Sequence, residues 1–71
     1  MTYEYIENMM GSLGEIPTMS KDDEGNVVIT EINGYDKDGF PTYKVSTSQP
    51  NGWLRVNVYW KDGTVEEYYE K

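Results

Sequence analysis

Short glycine-containing turns divide the second half of this chain at regular intervals, and they constrain its fold more than any other feature. The turn motifs occupy residues 36–39 (Asp-Lys-Asp-Gly), 49–52 (Gln-Pro-Asn-Gly) and 61–63 (Lys-Asp-Gly). Connections this short join antiparallel strands, because a parallel pair needs a crossover of about a dozen or more residues. The turns therefore predict a meander of antiparallel hairpins.

The segments between the turns alternate with the period of two that is typical of strands, and they are rich in β-branched and aromatic residues. Gly34 indicates a bulge or a strand end. Pro41 indicates a strand start or an edge. We predict four strands, which are Val27–Tyr35, Phe40–Ser48, Trp53–Trp60 and Thr64–Glu70.

The N-terminal segment has a helical rather than a strand period. Its apolar residues recur at spacings of three and four, and they are Tyr3, Ile6, Met10 and Leu13. Thr2 can cap a helix, and Gly11 or Gly14 can end one as a left-handed cap. We predict a helix from about Thr2 to Met10, within residues 1–13.

Residues 14–26 are acidic and rich in turn-forming residues, which predicts a loop. Ile16 and Met19 are expected to fix this loop to the core. A weak surface calcium site at Asp22, Asp23 and Glu24 is one reading of its charge, and a solvated acidic turn is the other. Neither Asp22 nor Asp36 begins a loop with the Gly at position six and the Glu at position twelve of an EF-hand.

These elements predict a single α+β domain over residues 1–71: a short N-terminal helix packed on a curved four-stranded antiparallel β-meander. The more apolar side of the third strand is expected to face the helix, together with Val28, Ile32, Tyr43 and Val45 of its neighbours. That side consists of Leu54, Val56, Val58 and Trp60. Aromatic residues fall on both sides, so the sheet is either partly covered on each side or curled towards a small barrel.

The chain has 71 residues with neither Cys nor His. Disulfides are thereby excluded. The residues that zinc sites and nucleophilic catalysis through Cys or a His-activated Ser usually require are also absent. We expect no enzymatic activity, no catalytic residue, no cofactor and no metal. A chain this short buries only about 60% of the surface exposed on unfolding, so close packing or homodimer formation is needed for stability.

The net charge is −7, and it is distributed unevenly. Residues 1–36 carry eight acidic residues and one lysine, whereas residues 37–71 carry five acidic and five basic residues. Nucleic-acid backbones and anionic membrane surfaces attract the opposite sign, so direct binding to either is disfavoured. A protein partner with a basic surface is favoured.

The acidic array leads to our main hypothesis: a non-enzymatic inhibitor or regulator that imitates a nucleic-acid backbone and engages a basic, nucleic-acid-processing protein. The expected contacts are Glu4, Glu7, Asp22, Asp23, Glu24, Glu31 and Asp36, with Trp53 and Tyr59 as aromatic anchors. One alternative is a structural or oligomerising module with an exposed aromatic sheet face, where charge serves only solubility. Another is a single-strand binder that stacks bases on Trp53, Tyr59 and Tyr69.

In general composition the chain is similar to many small proteins of bacteriophages and mobile elements, including inhibitors of host defence. The likeness is in being short, acidic, rich in tyrosine and without Cys or His. It covers no motif and assigns no residue. The first five residues have neither a basic nor an apolar signal region, and no apolar run approaches the ~20 residues of a membrane span. We expect a cytoplasmic location.

Overall fold

The structure is an α+β arrangement of a short helix and an antiparallel sheet. It is a computed structural model that describes residues 1–13 and 17–71. Each strand pairs with its neighbours in sequence, so the sheet is an open meander with β1 and β5 at its edges. The elements are α1 (Tyr3–Leu13), β1 (Thr18–Lys21), β2 (Val27–Tyr35), β3 (Pro41–Ser48), β4 (Leu54–Tyr59) and β5 (Val65–Glu70).

The sheet has five strands where the sequence predicted four, because β1 lies inside the segment predicted to be a loop. This strand pairs with β2 from Thr18 opposite Thr30 to Lys21 opposite Val27. Three of its four residues are exposed, so it has no hydrophobic alternation that the sequence could reveal. The other four strands agree with the predicted bounds to within one residue, the usual uncertainty of such bounds.

Helix α1 is longer than predicted, because it continues through Gly11 to Leu13. Gly11 is not among the glycines with positive φ, so the predicted cap at this residue is wrong. Gly14, the other predicted cap, lies outside the described residues, as does Ile16. The cap at the start is confirmed, since Thr2 Oγ1 accepts a 3.2 Å hydrogen bond from the Tyr5 amide.

The four hairpin turns share one geometry. In each, the amide of the first residue donates to the carbonyl of the fifth, and the amide of the fourth residue donates back to the first carbonyl. The fourth residue is a glycine with φ between 83° and 96°, a left-handed conformation that closes a type I turn with a one-residue bulge. The turns start at Asp22, Asp36, Gln49 and Trp60.

The main core lies between α1 and one face of the sheet. Its buried members are Tyr3, Ile6, Met10, Val28, Tyr43 and Val45, with Ile32 and Tyr59 packed against them. The predicted stripe of α1 is therefore confirmed for its first three members, and the side chain of Leu13 lies outside the described part of the chain. Met19 is 72% exposed, so the prediction that it packs on the core is wrong.

The side of β4 that faces the helix is the opposite of the predicted one. Val45 pairs with Asn57 and Tyr43 with Tyr59, and directly opposite residues share a face. Val56 and Val58 consequently lie on the other face, where they are almost completely buried although no described helix covers it. Register is fixed by the turn that begins at Gln49, and apolar content alone did not reveal it. Bulging at Gly34 is confirmed by the register shift in β2.

Candidate partner-binding surface

The meander places its turns alternately at two ends of the sheet, and this divides the acidic residues of the first half. The turns that follow β2 and β4 lie at the end where α1 begins, and those that follow β1 and β3 lie at the far end. Strand β2 alone separates the two ends by about 27 Å, from its nine residues and ~3.3–3.4 Å per residue. The acidic residues of the first half therefore do not form a single surface.

Five carboxylates gather where α1 begins, and we call this group the acidic end. A groove of about 670 Å³ between the start of α1 and the turn after β4 is lined by Glu4, Glu7 and Lys61. A second groove of about 460 Å³ between the two turns is lined by the other three carboxylates. The acidic end consists of Glu4, Glu7, Asp36, Asp38 and Asp62.

Two lysines belong to the same end of the sheet. The Lys61 ammonium group lies 4.2 Å from the centroid of the Phe40 ring, a cation–π contact that joins the turn after β4 to the turn after β2. Lys37 lines the groove between these turns. The five carboxylates outnumber the two lysine side chains, which leaves this end negatively charged.

The Tyr3 hydroxyl lies close to the negative charges of this end. It donates a 2.6 Å hydrogen bond to the carbonyl of Pro41. Burial above all, and then the nearby Tyr43, Glu7 and Asp36, together raise the pKa of Tyr3 from 10.0 to about 12. Charges from the helix and from the turn after β2 thus act on one partly buried hydroxyl.

Three of the predicted acidic contacts lie at the far end. Asp22 Oδ1 accepts 2.9 Å hydrogen bonds from the amides of Glu24 and Asn26, so this carboxylate shapes its own turn. Those bonds, above all the one from the Asn26 amide, hold the pKa of Asp22 below its ordinary value of 3.8. Asp23 and Glu24 are exposed beside it.

Glu31 lies within β2 and Asp36 directly follows it, but the two residues differ in their surroundings. Glu31 is half-buried in the middle of the strand, directly opposite Lys44, and belongs to neither end. Asp36 belongs to the acidic end, and its Oδ1 also accepts the amides of Asp38 and Phe40 at 2.9 Å. Of the seven predicted acidic contacts, the acidic end therefore contains Glu4, Glu7 and Asp36.

The two predicted aromatic anchors lie on the helix-bearing face but at different ends. Tyr59 is half-buried against the core under α1. Trp53 is 39% exposed at the far end, with the Lys71 ammonium group 5.6 Å from its ring centroid. Arg55 follows two residues later and pairs directly with Tyr69, which is 54% exposed. We call Trp53, Arg55 and Tyr69 the aromatic patch.

The sequence reasoning missed Asp38 and Asp62, because both lie in the half of the chain whose charges balance. A usable signal was present: in a meander, alternate turns return to the same end.

Within residues 1–13 and 17–71, no group of three or more acidic side chains is placed to hold a metal ion. None of the described helices is long and apolar enough to cross a bilayer. No family model, curated protein or solved structure matches the chain.

Proposed function

We propose that this protein is a non-enzymatic inhibitor or regulator whose acidic end engages a basic surface on a nucleic-acid-processing protein. One observation carries the proposal: five carboxylates from a helix and two turns lie at a single end, with two lysines. Three separate backbone elements hold these charges at fixed positions, so the field is directional.

The class of partner follows from the sign and arrangement of the charge. Proteins that process nucleic acid present basic clefts, and spaced carboxylates fit such clefts as phosphates do. Complementary fields also accelerate association, up to about 10⁸–10⁹ M⁻¹s⁻¹ at low salt. The absence of Cys and His from the sequence agrees with a binding role rather than a catalytic one.

The test is competition with labelled duplex DNA for a panel of purified nucleases, methyltransferases and polymerases. The E4Q/D38N double variant removes two charges from the acidic end, and neither side chain accepts a turn hydrogen bond in the described structure. The matched control is D23N/E24Q, which removes two charges at the far end. The protein should displace DNA from at least one basic enzyme, and E4Q/D38N should weaken this more than D23N/E24Q.

Salt provides the second readout. Exposed charges are screened beyond ~8 Å at physiological ionic strength, so inhibition should weaken as salt is added. Inhibition that is independent of salt and equal in both double variants would contradict the proposal. Failure to displace DNA from any enzyme in the panel would contradict it as well.

A second candidate function is a structural or oligomerising module, and the aromatic patch favours it. Tyr, Trp and Arg dominate the hot spots of protein interfaces. Here Arg55 pairs directly with Tyr69, and the side chains of Trp53 and Tyr69 are 39% and 54% exposed. Sedimentation separates the two functions. A tight homodimer that the Trp53→Ala variant dissociates supports this module, and a concentration-independent monomer opposes it.

A further inference from the structure

We propose that β5 is a docking edge for an extended, dibasic segment of a partner protein, which adds to the sheet as a sixth strand. Strand β5 pairs with β4 alone, and all six of its residues are exposed. Its register with β4 is continuous from Val65 to Glu70, and no proline interrupts it. An edge with these properties presents unpaired backbone groups to another chain.

The closing bond of the last turn identifies the backbone groups that point outward. The Trp60 amide donates to the Thr64 carbonyl, so the hydrogen-bonded pairs with β4 recur at Glu66, Tyr68 and Glu70. The amides and carbonyls of the intervening residues are directed away from β4. These outward residues are Val65, Glu67 and Tyr69.

The side chains of β5 favour an incoming strand that is positively charged. Glu66 lies on one face and Glu67 on the other, in adjacent positions. Glu66 Oε1 accepts a 2.6 Å bond from Trp60 Nε1, and Glu67 Oε2 accepts a 3.1 Å bond from Asn57 Nδ2. Both donors are neutral, so these bonds hold the two carboxylates on the sheet without pairing them with a positive charge. Glu70 differs because Lys44 Nζ lies 3.8 Å away.

An antiparallel occupant therefore needs two consecutive basic residues opposite Glu67 and Glu66. Apolar residues on either side of them meet Tyr68 and Val65, because directly opposite side chains on a sheet are about 4.5–5.5 Å apart at Cβ. The motif is apolar–basic–basic–apolar in an extended conformation. This inference deepens the proposed function and rests on it for the basic class of partner.

A second copy of this chain is a poorer occupant of the same edge. When a two-fold axis relates the two copies, their β5 strands can pair antiparallel in two registers that each use five of the six residues. One places Glu67 opposite itself, and the other places Glu66 opposite Glu70 twice. Like charges directly opposite one another destabilise a strand pair. The other edge is shorter, since β1 has four residues and follows Pro17.

The test uses the synthetic peptide Thr-Val-Tyr-Arg-Lys-Val-Thr, with a scrambled peptide that separates the two basic residues as control. Binding is followed by calorimetry and by amide hydrogen exchange. The peptide should bind, the scrambled peptide should bind more weakly, and the amides of Val65, Glu67 and Tyr69 should gain protection. The E66Q/E67Q variant keeps both acceptors for Trp60 and Asn57. It should weaken binding roughly 2- to 30-fold, from two lost charge pairs.

A backbone variant separates strand addition from simple charge attraction. Val65→Pro removes one outward amide at the first position of the strand, where proline is tolerated, and should weaken binding about 2- to 12-fold. Its matched control is Met19→Pro, which removes an outward amide on the β1 edge and should leave binding unchanged. If Val65→Pro fails to fold, hydrogen exchange and E66Q/E67Q decide the question.

Three outcomes overturn the docking edge: no peptide binding, no protection at the outward amides of β5, or binding that E66Q/E67Q leaves intact. Peptide binding that is weakened by E4Q/D38N but not by E66Q/E67Q also overturns it, because the peptide then binds at the acidic end. Sedimentation of a dimer that Val65→Pro dissociates assigns the edge to a second copy and overturns it too. The failure of the acidic end is seen separately, in the DNA competition assay, which uses no peptide.

Discussion

Tyr3 and Pro41 join the start of the helix to the start of β3, because the tyrosine hydroxyl donates a 2.6 Å hydrogen bond to the proline carbonyl. The Tyr3 ring also packs on Tyr43, with the ring centroids 5.1 Å apart. One side chain thus fixes the position of α1 along the strands of the sheet. It thereby sets where Glu4 and Glu7 lie relative to the two turns of the acidic end.

Removal of this hydroxyl should destabilise the fold. In Tyr3→Phe the Pro41 carbonyl loses its donor in a partly buried site, and the expected loss is about 1–3 kcal/mol of unfolding free energy. The control is Tyr5→Phe on the same helix, where the side chain is 60% exposed and the change should stay within about 0.5 kcal/mol. Urea denaturation measures both. Equal stability of the two variants would show that the bond contributes nothing.

The same hydroxyl predicts an alkaline limit to stability. The pKa of Tyr3 is raised from the ordinary 10.0 to about 12 in the folded chain, first by burial and then by the charges around it. The folded state therefore holds this proton more tightly than the unfolded state, so its contribution is complete below about pH 10 and is lost as the pH rises towards 12. Spectrophotometric titration should find a tyrosine that ionises near pH 12. That step should be absent from Tyr3→Phe, and its persistence there would refute the assignment.

Two glycines should respond in opposite directions to the same substitution. Neither Gly11 nor Gly39 has any atom within 4 Å of an added Cβ, so only the backbone differs. Gly11 is inside α1, and Gly11→Ala should stabilise the protein by about 0.5–1 kcal/mol. Gly39 has φ of 86°, and Gly39→Ala should destabilise it by about 1–2 kcal/mol. Thermal unfolding of the pair is the measurement, and shifts of the same sign would contradict it.

The strands that the sequence revealed are those with a local signal. β2, β3, β4 and β5 are bounded by glycine turns whose chemistry is set by neighbouring residues, as the bonds around Gly39 and Gly63 show. β1 is followed by the same kind of turn at Asp22, but its own residues gave no strand signal, because Met19 and its neighbours are mostly exposed and its pairing depends on β2. The face of β4 depends on register against β3, a relationship between distant residues that alternation within one strand leaves open.

The candidate site was predicted in part for the same reason. Glu4, Glu7 and Asp36 come together because α1 starts where the turn after β2 ends, and no local pattern in the sequence reveals that position. Charge counted along the chain grouped Asp22 with them, although β2 separates Asp22 from Asp36. It also left out Asp62, which the topology returns to the same end.

Asp22 should make the protein sensitive to acid through its turn rather than through a partner. Its pKa is held below 3.8 by the Asn26 amide above all, and an unfolded chain lacks that bond. The contribution of the carboxylate is therefore complete above about pH 3.8 and is lost as the pH falls through the lower folded value. Asp22→Asn keeps an Oδ1 acceptor for the turn but does not titrate, so its Tm should fall less steeply than that of the wild type below pH 3.8. The control is Asp23→Asn, which removes the same charge without a turn bond and should keep the wild-type dependence of Tm on pH. Parallel curves of Tm against pH for all three proteins would show that the Asp22 turn does not couple folding to protons.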